Sequence, residues 1–187
     1  TQSRSSAASD VYKRQAVNAY GKEVLDAGSA SDLMFTAVRL GKTTFEELSR
    51  SLFNVIPTAA SLDITFAEVA ASMATMTAQG VPTRVATTNL RQAFVEASKT
   101  GSNLDKAIRE MAGTGMAQLT KEGRTAFSVF NELRESMPEQ EFRDLFGSVE
   151  ALNAVLLTTG PQAAGMQRAM DEMGTATGAA DAAFEII

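Results

Sequence analysis

Apolar residues recur at helical spacing along nearly all of this chain, but each stripe is short. A glycine, a proline or a Ser/Thr-x-x-Glu/Asp pattern interrupts it within a few turns. Sustained period-two alternation of β-branched residues, which a half-buried strand needs, is missing. Stripes of this length must pack against one another to leave water, so the sequence predicts an all-α fold, a compact multi-helix bundle of short amphipathic helices.

The punctuation places the elements. A first helix is expected from about Val17 to Ala27 and a second from about Ser31 to Leu40, with Leu33, Met34 and Ala37 inward and Gly41 ending it in a left-handed conformation. Thr43 with Glu46 and Thr44 with Glu47 have the spacing of a reciprocal N-terminal cap, opening a helix whose Phe45, Leu48, Leu52 and Ile56 share a face until Pro57 restarts the chain. Thr65 with Glu68 repeats the capping pattern before Phe66, Val69, Ala70, Met73 and Met76, and Gly80 supplies the stop. The helix from about Thr83 to Ser98 carries Ala86, Leu90, Ala93, Phe94 and Ala97 inward, leaving Arg84, Arg91 and Glu96 for solvent.

Ser102 with Asp105 opens the next helix, and Gly113-Thr114-Gly115 ends it. Ala126, Phe127, Phe130, Leu133 and Met137 form a further stripe, and Pro138 suits the first helical position of a segment holding Phe142, Leu145 and Phe146. Val149, Leu152 and Leu156, then Met166, Ala169, Met170 and Met173, mark two later helices, with residues 174–178 as a flexible joint before Ala179 to Ile187. No element is assigned between Gly115 and Ala126.

Chemistry is constrained by what the chain lacks. It has no Cys, which removes disulfides and thiolates, and no His, the commonest general base and transition-metal ligand. The carboxylates Glu139, Glu141 and Asp144 beside Arg143 read as a solvated helix face, and Gly113-Thr114-Gly115 lacks the strand and the downstream Gly-Lys-Ser/Thr of a phosphate loop. No catalytic, cofactor-binding or metal-binding residues are assigned, no cofactor is expected, and the chain is read as a non-enzyme. Net charge is −5 and no basic block exceeds Lys13-Arg14, so direct nucleic acid binding is not expected. No apolar run approaches the ~20 residues of a membrane span. The methionines at helical spacing are read as core, although thioethers also suit an adaptable partner surface. The Ala- and Thr-rich run 70–78 fits either subunit packing or a tight intramolecular bundle.

Residues 1–15 are polar and aperiodic and resemble translated adapter sequence, so they are read as a non-native or disordered leader, and 16–187 as one helical domain. The leader holds Arg4, Lys13 and Arg14 against Asp10, which leaves fourteen cations and twenty-one anions, or −7, on the domain. The chain begins without Met and closes on Phe184-Glu185-Ile186-Ile187, and both ends read as cuts through a longer protein.

A set of phrases carries a resemblance along residues 19–184. They are Ala19-Tyr20-Gly21-Lys22, Gly41-Lys42-Thr43-Thr44-Phe45-Glu46-Glu47-Leu48, Val55-Ile56-Pro57-Thr58-Ala59-Ala60, Ala67-Glu68-Val69-Ala70-Ala71, Ala86-Thr87-Thr88-Asn89-Leu90-Arg91, Leu145-Phe146-Gly147-Ser148 and Ala179-Ala180-Asp181-Ala182-Ala183-Phe184. In order and content they resemble the core region of phage tail tape measure proteins, a phage minor tail protein family. The resemblance implies a helical core and a virion structural role: a module of the protein that templates tail tube assembly and length and leaves the tail during DNA ejection. It also implies location in the tail lumen, and in the host cytoplasm during assembly, with tail tube protein, tail assembly chaperones and tail tip proteins as partners; self-association of the module is expected through its Ala-rich helices. The alternative is a helical protein-protein interaction module, an adaptor or effector of a cell.

Overall fold

A computed structural model describes residues 2–181, and among these there are twelve α-helices, one 3-10 turn and no strand. In chain order they are α1 (Gln2–Tyr20), α2 (Ala27–Leu40), α3 (Phe45–Leu52), α4 (Ile56–Ser61), α5 (Phe66–Ala78), α6 (Thr83–Ser98), α7 (Asn103–Ala112), α8 (Met116–Lys121), α9 (Ala126–Glu135), α10 (Glu139–Asp144), α11 (Val149–Leu156), the 3-10 turn Gly160–Gln162 and α12 (Ala163–Gly174). The all-α expectation is met.

Helix α5 is the axis of the fold. Phe66 and every residue from Glu68 to Thr77 are buried, because α2, α4, α6 and α12 surround it. A helix apolar all round belongs in an interior, and the small side chains Ala70, Ala71, Ser72 and Ala74 let its neighbours approach closely. The buried hydroxyls of Thr75 and Thr77 donate back to the carbonyls of Ala71 and Met73, both at 2.8 Å, so they cost no unpaired polar group. The Ala- and Thr-rich run is thus spent on packing within the chain. Met73, Met76, Met166 and Met173 are core residues, and Met111 and Met170 pack against the same cluster. Around this axis α6 lies along α11 and meets α3, α4, α7 and α8, while α1 rests on α2, α3 and α4.

Several boundaries follow their sequence signals. Thr44 and Glu47 form the full capping box of α3, Pro57 sits in the first turn of α4, and α6 spans Thr83–Ser98 as expected. Gly113 closes α7 in the left-handed region at φ 79°, and Gly115 directly precedes α8.

Other expectations are corrected. The first helix is not Val17 to Ala27: α1 runs from Gln2 to Tyr20, Gly21 turns the chain at φ 86°, and Asp26 caps α2 by accepting from the Ser29 N–H at 2.9 Å. Gly41 is extended rather than left-handed, and its requirement for glycine is tertiary: a β-carbon there would lie 2.3 Å from Thr77 Oγ1. Thr43 is not a second cap; its hydroxyl bonds Thr83 Oγ1 at 2.6 Å. Residues 116–121 form a helix that the 112–125 stretch does not announce, burying Met116, Leu119 and Thr120. Pro138 precedes α10 rather than opening it. On α11 the buried face is Ala151, Ala154 and Val155, whereas Val149 is exposed, because the partner helix α6 accepts small side chains at close range. Within 174–178, Gly178 donates to Asp32 Oδ2 at 2.8 Å and Ala180 to Asp32 Oδ1 at 2.9 Å, which ties the joint to α2. The last residues of the expected Ala179 to Ile187 element, 182–187, lie outside the described residues.

Candidate functional site

Among the described residues three carboxylates are buried, and each closes a helix junction. Glu68 on α5 does not complete the cap at Thr65: Thr65 Oγ1 accepts from the Glu68 N–H at 3.2 Å, but the carboxylate turns inward and accepts from the Phe127 N–H of α9 at 2.8 Å. Glu96 is not a solvent-facing residue of α6, since it accepts from the Gly147 N–H at 2.8 Å and from Ser148 Oγ at 2.5 Å, at the start of α11. Asp105 accepts from the Gly101 N–H at 2.7 Å and from Arg109 Nε at 2.9 Å, and the Gly101 bond first, with Arg109 second, draws its carboxyl below the usual range. Capping spacings in the sequence flag Glu68 and Asp105, and the partners of Asp105 lie within four residues, whereas those of Glu68 and Glu96 come from elements more than fifty positions away.

Glu68 has the most perturbed environment. Burial raises its carboxyl from 4.5 to about 7, against the lowering effect of the Phe127 and Ala126 N–H groups. Tyr20 lies close by, its ring edge-on to Phe66 with centroids 6.1 Å apart and its buried hydroxyl without a hydrogen-bond partner. Burial, and then the Glu68 charge, push the Tyr20 hydroxyl well above its ordinary range.

The exposed carboxylates weighed from the sequence do not converge. Glu139 accepts from Arg134 Nε and Nη2, both at 3.0 Å, and pairs with Arg143 at 3.1 Å; the Arg134 bond is the first reason its carboxyl sits below its usual value. Asp144 accepts from Gln140 Nε2 at 3.0 Å and lines a groove with Glu96, Lys99 and Phe146, where the Glu96 oxygens are already engaged by Gly147 and Ser148. Glu141 is exposed on the same short helix, α10.

Two open grooves offer contact surface. One, between α6 and α11, exposes Val85 and Val149 beside Arg84, Asn89, Glu150 and Asn153. The other lies across α2, α5 and α12, over Leu40, Ala78, Gly165 and Arg168, where Gln79 Nε2 bridges the carbonyls of Thr75 and Leu157 at 2.9 and 2.8 Å. Among the described residues no helix is long and apolar enough to cross a membrane.

This geometry defines a class first: an all-α module whose buried acids hold its own helix ends and whose grooves are shallow and mixed in character. Its family follows from the match of the phage-related minor tail protein model to residues 7–149, and the chain belongs to that family. It is also similar to a protein of Clostridium phage phiCD119 described as a probable tape measure protein, 30% identical over 152 residues. That alignment covers 77% of this chain and 16% of the relative, so the chain spans about a sixth of the relative's length. No solved structure matches significantly. The family points to a structural role in the phage tail.

Proposed function

We propose that this chain is a folded module of a tape measure protein, the component that templates tail tube assembly and length and is released during DNA ejection. The observation that carries the reading is the family match over residues 7–149, supported by the tape-measure relative of which the chain spans 16%. The fold is consistent with a module rather than with the ruler itself. A helical ruler gains about 1.5 Å of length per residue, and the longest helix among the described residues, with 19 residues, reaches only about 28 Å.

The module acts by contact, with no catalytic step. Its partners are tail tube protein, tail assembly chaperones and tail tip proteins, and its own copies; its place is the tail lumen, reached from the host cytoplasm during assembly. The domain is residues 16–187, with 1–15 as a leader, although α1 runs through that boundary without a break. The family match favours this reading over a cellular adaptor.

The test is genetic. In a phage carrying the parent gene, in-frame shortening outside this module should shorten the tail in proportion to the residues removed, and removing the module should abolish tail formation. Unchanged tail length in the first case would refute the ruler role of the parent. Normal tails in the second would refute the module's part in assembly.

A further inference from the structure

A carboxylic acid enclosed at 2% exposure, with no ion pair among the described residues, bonds two helices that are far apart in sequence and lies near the end of a third. Glu68 projects from α5 and receives the N–H of Phe127 in the first turn of α9, while Tyr20 at the end of α1, edge-on to Phe66, lies near enough to feel its charge. A buried anion with no cation beside it is costly, so burial holds the proton on this group to a higher pH than water would, although the backbone N–H groups oppose it. We propose that Glu68 is a proton-operated latch: as the neutral acid it keeps the corner of α1, α5 and α9 closed, and losing its proton loosens Tyr20 and the start of α9 from the central helix.

The neighbours leave Glu68 alone in this role. Tyr20 faces it from α1, and α4 carries no charged side chain. On α2, Asp32 is bonded to Gly178 and Ala180, and Arg39 is paired with Glu172 of α12. On α6, Arg84 and Arg91 are exposed, and Glu96 is engaged by Gly147 and Ser148. Arg168 and Asp171 of α12 are exposed. Beside α9, Arg124 pairs with Glu132, Arg134 pairs with Glu139, and Lys121, Glu122 and Glu135 are exposed. Burial and the N–H groups of Phe127 and Ala126 are what set its proton affinity. Gly21, at φ 86° directly after Tyr20, ends α1 in a left-handed turn.

The sign follows from linkage. The unfolded chain releases this proton near 4.5 and the folded chain near 7, so the stabilisation is complete below about 4.5, declines as pH rises and is gone above about 7. Across that window the ratio of closed to open forms falls on the order of a hundred-fold. The chain has no His, and Asp26, Asp105 and Glu139 are drawn below their ordinary range, away from this window.

The test uses the 187-residue chain. Carbon-detected NMR titration of the Glu68 carboxyl should give a midpoint near 7, and a midpoint near 4.5 would overturn the latch without any variant. Hydrogen exchange, corrected for intrinsic rates, should show protection at Val17 to Tyr20 and Phe127 to Phe130 falling at least tenfold from pH 5 to 7.5, with α6 and α11 held. Glu68→Gln should abolish that difference. Equal loss in every helix, or persistence of the local loss in Glu68→Gln, would refute a local latch.

Discussion

A β-carbon on Gly41 would lie 2.3 Å from Thr77 Oγ1 and 3.2 Å from the Ala74 α-carbon, and only the first of these obstacles can rotate away. Gly41→Ala is therefore expected to cost about 1–3 kcal/mol through overpacking, read as a lower urea midpoint with an unchanged slope. Adding Thr77→Ala should restore only part of it, since the backbone contact remains. Tyr20 presents the opposite case. Its buried hydroxyl has no partner, so Tyr20→Phe removes an unsatisfied polar group and should leave stability unchanged or raise it by up to about 1 kcal/mol. A clear loss in the same urea titration would mean that the hydroxyl has a partner. Both residues look ordinary in the sequence: Gly41 reads as a left-handed helix stop, whereas its backbone is extended and the neighbouring α5 is what excludes a side chain.

Among the elements, α6 and α11 pack along each other, and one buried carboxylate joins α6 to the turn that opens α11. Glu96 collects the Gly147 N–H and the Ser148 hydroxyl, and Ser148 in turn caps α11 by accepting from the Ala151 N–H at 3.2 Å. Glu96→Ala removes both acceptors at a part-buried turn and should cost about 1–2 kcal/mol, with exchange rising first in α11. A loss below about 0.5 kcal/mol would show that water replaces the carboxylate freely. The cap at Thr44 is more local, and Thr44→Ala should cost about 1 kcal/mol, measured by denaturant midpoint. The legibility of the two sites differs for a physical reason. A capping box is complete within four residues, so sequence spacing reveals it, while Glu96 meets a partner 51 positions away and spacing carries no trace of it.

For the molecule as a whole, one hydrophobic cluster extends from Ala16 on α1 to Met173 on α12, with α5 at its centre. Such a core should unfold as one unit: far-UV circular dichroism and calorimetry should give coincident transitions, with calorimetric and van't Hoff enthalpies equal. Two separated transitions would mean that α7 to α10 form an independent subdomain. The sequence by itself determined the all-α class, most helix boundaries, the core methionines and the family, because helical period, caps and glycine stops act within a few residues, and because the resembling phrases keep their order. Tertiary structure alone decided that α5 is the axis, that residues 116–121 coil into a helix, that α11 turns its alanines inward, and that Glu68 and Glu96 face into the protein. Those outcomes depend on which helices meet, and the desolvation that gives Glu68 its proton arises only once the helices around α5 have closed on it.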